Sequence, residues 1–98
     1  LARLEVPSEL GTTRVLCQTV NVSSSGMLVR IDEAYPVGTE IGFELTVPGE
    51  PGPIRGQAEV VRHATQRRER LTGVALRFRS IRVEDQDRLV QHLSQLAV

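Results

Sequence analysis

Apolar and polar residues alternate along most of the chain, which is the period of half-buried strands. The clearest run puts Ile41, Phe43, Leu45 and Val47 on one face and Gly42, Glu44 and Thr46 on the other. Ile54 to Ala64 resumes the pattern, with Ile54, Ala58 and Val60 inward and Arg55, Gln57 and Glu59 outward. Leu71 to Arg79 sets Val74, Leu76 and Phe78 against Gly73, Ala75, Arg77 and Arg79. Upstream, Leu1–Val6, the β-branched run Thr13–Val22 and the short Met27–Ile31 complete six predicted strands. Turn-forming residues separate them: Pro7 with Ser8–Thr12, Ser23-Ser24-Ser25-Gly26, Asp32–Thr39, Pro48–Pro53 and the basic Thr65–Arg70. In the second of these, Gly26 is expected to use its freedom to take a positive φ.

The period changes near the end. Leu89, Leu93 and Leu96 recur at helical spacing, which predicts a helix over about Val83–Ala97 with that stripe docked on the β structure. Glu84, Asp85 and Asp87 crowd its start, where the helix dipole favours negative charge. Ser80 is the nearest N-cap residue and sits early. Six strands and one helix predict a mainly β fold, an antiparallel barrel or sandwich. Phe43, Leu45, Val60, Val74, Leu76 and Phe78 are its expected core, joined by Met27.

The 98 residues fit one domain, spanning 1–98, with little room for a deep cleft beside the core. Twelve basic residues balance twelve acidic ones, and every basic one is Arg. Zero net charge gives no long-range pull on DNA or RNA, and neither is expected as a partner. The charges are uneven, however. Seven arginines fall between Arg62 and Arg82 against one acid, Glu69. Such a stretch is either a solvated face or an anion-binding one. Cys17 is the only cysteine, so no internal disulfide forms. It lies among Val15, Leu16 and Val20 and reads as a buried, inert thiol. A lone thiol suits a reducing compartment, and a cytoplasmic location is expected. No apolar stretch is long enough to span a membrane.

Enzyme motifs are missing: no phosphate-cradling loop before a helix, no zinc-spaced Cys/His set and no nucleophile elbow. The reading is therefore of a non-enzyme without metal or cofactor. The three aromatics, Tyr35, Phe43 and Phe78, leave no platform for stacked single-stranded bases.

One segment carries specific chemistry. Asn21-Val22-Ser23-Ser24-Ser25-Gly26 is spaced Asn-x-Ser-x-x-Gly at a strand-to-strand turn. Asn offers both a donor and an acceptor to a base edge, Ser a short hydroxyl, and Gly a close backbone approach. The same residues also suit a Ser/Asx turn that serves only the hairpin.

This segment resembles the Asp/Asn-x-Ser-x-x-Gly signature of PilZ domains, bacterial receptors for cyclic di-GMP. The similarity extends in order along the chain: Thr19–Ser23 and Gly26–Arg30, Ala34–Thr39 with Ile41–Val47, Gly56–Arg62, Gly73–Phe78 and the acidic-start helix. It implies a six-stranded antiparallel β-barrel with one C-terminal helix. It also implies a signalling module that binds cyclic di-GMP on the barrel surface and relays it to a protein partner. Asn21 and Ser23 would contact guanine or the adjoining phosphate, Gly26 would shape the turn, and Arg77 on the sixth strand would be a further ligand contact. Two departures stand out. Ala75 replaces a glycine common in the family's last strand, so its methyl is expected to crowd the ligand face. The family's Arg-x-x-x-Arg half-site has no counterpart, since no two arginines here are four apart. By strand order that motif is expected just ahead of Leu1. A PilZ-like interaction module that binds no nucleotide is the alternative.

Overall fold

The computed structural model describes residues 1–8, 11–33 and 35–96. Six strands and a helix follow one another: β1 (Ala2–Ser8), β2 (Gly11–Val22), β3 (Gly26–Arg30), β4 (Glu40–Leu45), β5 (Ile54–Ala64), β6 (Gly73–Ile81) and α1 (Val83–Leu96). The strands close into an antiparallel barrel in the order β1-β2-β3-β6-β5-β4. The expected fold class is thus the observed one. Pro7 lies inside β1 rather than ending it, opposite Thr12. It sits beyond the last β1–β4 pair, Glu5↔Gly42, so its missing N–H takes no bond from β4.

One core fills the barrel. Phe43, Leu45, Val60, Val74, Leu76 and Met27 are buried in it, and Phe78 packs at its edge, stacked on Phe43 with centroids 5.0 Å apart. Leu89 of α1 enters the same core and Leu93 packs against it; the side chain of Leu96, predicted to join them, lies outside the described residues, as does Ala97. Cys17 is buried, its thiol donating to the Ala2 carbonyl, and burial pushes its pKa up. α1 follows Arg82 with no capping hydroxyl; Ser80 belongs to β6 instead. Arg88 fastens the helix to the β4–β5 loop by bonds to Glu50, to the Gly52 carbonyl and to its own helix neighbour Asp85.

Alternation is interrupted twice in ways that matter below. The β2–β3 register shifts between Thr19 and Asn21, and the β5–β6 register shifts between Val60 and Arg62. Each is a β-bulge, in which one extra residue reverses the faces of everything beyond it.

Candidate functional site

By strict alternation Asn21 would share the inward face of Cys17 and Thr19. Arg62 would share that of Ala58 and Val60, which would bury a guanidinium in an apolar core. The bulges at Val20 and Val61 turn both residues outward. Asn21 then pairs with Leu28 and Arg62 with Ala75, while Leu28 and Ala75 pair with each other. One row therefore crosses four strands on the outer face: Asn21, Leu28, Ala75, Arg62. Gly26 and Arg77 form the neighbouring pair.

These residues, with Ser23 and Ser25, line a shallow depression of about 250 Å³. All four residues expected from the sequence, Asn21, Ser23, Gly26 and Arg77, thus lie on one depression. Its floor is apolar. Leu28 is buried there although it faces away from the barrel core, packed with Ala64, Leu71 and Ala75 in a second, outer cluster. The Ala75 methyl belongs to this floor.

The motif residues differ in what occupies them. Asn21 is exposed, and among the described residues its side-chain amide has no hydrogen-bond partner. Ser23 is engaged locally: its hydroxyl accepts from the N–H groups of Ser25 (3.3 Å) and Gly26 (3.2 Å), and its own N–H donates to the Gly26 carbonyl (2.8 Å). The Ser-turn role is therefore real for Ser23. The Phe78 N–H donates to the Ser25 carbonyl at 2.8 Å and ties the turn to β6. Gly26 does not take a positive φ, contrary to expectation. It is required for another reason: a Cβ there would overlap the Leu76 carbonyl oxygen across the β3–β6 pair.

Two arginines flank the floor. Arg77 is exposed and, among the described residues, has no ion-pair partner. Arg62 donates to Glu69 at 2.5 Å through Nη1. Glu69 also accepts from the Thr65 N–H at 2.7 Å. That backbone bond, helped by Arg62 and Arg68, holds its carboxyl below the usual carboxylate range. Arg62 and Leu28 are the site residues that sequence reasoning missed. The doubled Val60-Val61 after a clean alternation was the available signal.

Asn21 lines a second, more apolar groove of about 480 Å³, together with Leu1, Val47, Leu89 and His92. The start of β1 thus lies beside the motif, and any chain joined ahead of Leu1 leaves the barrel there.

The barrel, the helix and the position of the motif turn together define a small closed β-barrel domain with a shallow depression on its outer face. A family model for the PilZ domain matches residues 2–95, and the chain belongs to that family. PilZ domains are binding and adaptor modules that include cyclic di-GMP receptors. No curated protein and no solved structure gave a match. No helix among the described residues is long and apolar enough to cross a membrane.

Proposed function

We propose that this chain binds cyclic di-GMP over the Asn21–Arg62 row and relays its presence to a protein partner. One observation carries the reading: a partnerless exposed amide at Asn21 faces Arg62 across the apolar Leu28–Ala75 floor, with Arg77 lining the same depression. The chemistry fits each part of such a ligand. A guanine presents both donors and acceptors along its edges, which an amide or a guanidinium can meet, and guanidinium forks suit phosphodiesters. The depression is smaller than an ordinary small-molecule pocket of about 300–1,000 Å³. It would therefore serve as part of a site, and the groove shared by Leu1 and Asn21 is where an Arg-x-x-x-Arg segment joined ahead of Leu1 would reach it.

The test is calorimetric titration with cyclic di-GMP, with cyclic di-AMP as the control for base recognition. Weak binding or none is expected from the 98 residues. Extension ahead of Leu1 by an Arg-x-x-x-Arg segment is expected to give tight binding. The alternative, an interaction module without nucleotide, is favoured by the Ala75 methyl on the floor. It predicts no binding by either form. Ala75→Gly, which removes that methyl, separates the two readings: recovered binding in the extended form identifies a crowded receptor rather than a module without a site.

A further inference from the structure

The β5–β6 hairpin ends in a tip, Thr65–Leu71, that carries Arg67, Arg68 and Arg70 against the single acid Glu69. All three arginines are exposed, and among the described residues Arg67 and Arg70 have no ion-pair partner. The tip is nevertheless firmly built. Glu69 and Arg70 donate N–H groups to the carbonyls of Thr65 and Gln66, and Arg68 donates to the Thr65 hydroxyl. Arg70 takes a left-handed φ of 61°, which ends the turn and directs Leu71 back onto the barrel.

Two links join this tip to the candidate site. Leu71 packs on Leu28 and Ala75, the floor of the depression. Glu69 holds Arg62, its wall. Anything that displaces the floor or draws Arg62 toward a phosphate acts directly on the tip.

We propose that the Thr65–Leu71 tip is the docking surface for an acidic segment of a partner protein. We further propose that the depression controls this surface through Arg62 and Leu71; this second half rests on the reading of function above. An acidic protein fits better than other polyanions. The tip exposes no aromatic or aliphatic side chain to insert into lipid, because Leu71 is buried. The zero net charge supplies no long-range field for nucleic acid or a membrane. Guanidinium forks carried on a hydrogen-bonded turn match carboxylates at short range.

The experiment uses the 98-residue chain and its Arg67→Glu/Arg70→Glu variant, whose fold is checked by circular dichroism. Three probes are compared: a fluorescent Glu-rich peptide, the same peptide with Gln in place of Glu, and phosphatidylglycerol-containing vesicles. The Glu peptide is expected to bind, to weaken as salt is added, and to lose about tenfold or more in affinity to the variant. Equal binding of both peptides, indifference to the variant, or capture by vesicles alone overturns the docking proposal. In the form extended ahead of Leu1 by an Arg-x-x-x-Arg segment, adding cyclic di-GMP is expected to change the Glu-peptide affinity by about fivefold or more, and not to do so in Arg62→Met of that form. Nucleotide binding without such a change overturns the control half alone. No nucleotide binding at all overturns the functional reading and the control half together, and the peptide comparison still decides docking.

Discussion

Asn21 and Arg62 occupy the two ends of one row across the barrel's outer face, each turned outward by a β-bulge one residue before it. Leu28 and Ala75 lie between them and form an apolar floor. The bulge at Val20 leaves that valine 44% exposed and frees the Asn21 amide from the core face. The bulge at Val61 keeps a guanidinium out of an apolar interior, where it would cost several kcal/mol. Bulges tend to be placed where a side chain must be re-aimed, and here two of them converge on one depression.

Asn21 and Ser23 should separate by assay. Asn21→Ala removes an amide without an internal partner, so the melting temperature should hold while cyclic di-GMP affinity falls about 5- to 150-fold, the equivalent of about 1–3 kcal/mol. Ser23→Ala removes the acceptor of two turn N–H groups. A loss of about 1 kcal/mol in stability is expected, or about 4–8 °C in Tm for a domain of this size. Thermal melts and titrations of both variants check the division.

Gly26→Ala is expected to destabilise by about 1–3 kcal/mol, because its methyl would meet the Leu76 backbone carbonyl and force β3 away from β6. Denaturant unfolding measures it. An unchanged midpoint would show that the glycine serves the ligand and not the strand pair.

Phe43 is fully inside the core, whereas Phe78 lies at its edge. Phe43→Ala should therefore cost about 3–5 kcal/mol through lost transfer energy and a cavity. Phe78→Ala should cost less, since its ring is partly exposed before truncation. Equilibrium unfolding of the two variants gives the order.

Glu69 sets an acid dependence. Its folded-state pKa lies below the unfolded value, chiefly because the Thr65 N–H donates to it. Its contribution is present in full above the ordinary carboxylate range and is lost as pH falls through the lowered value. Glu69→Gln should be less stable than the parent at neutral pH, and the difference should shrink as the solution is acidified. Melts across that range test the sign.

The barrel was legible because alternation reports which face of each strand is buried, and Ile41–Val47 and Val74–Phe78 state it cleanly. The helix was legible from Leu89 and Leu93. The site was legible only through residues that stand together in sequence, Asn21, Ser23 and Gly26. Arg62 escaped because its place depends on a bulge, and a bulge is a property of two strands rather than of one. The role of Gly26 was misread for a related reason. Its constraint comes from the carbonyl of Leu76, fifty residues away, and not from its own turn.

The most direct test of the receptor reading is a cyclic di-GMP titration of the protein extended ahead of Leu1 by an Arg-x-x-x-Arg segment, alone and with Asn21→Ala. Tight binding by the first and a loss of about 5- to 150-fold in the second is the expected result. Binding that ignores Asn21→Ala, or no binding by the extended protein, would contradict it.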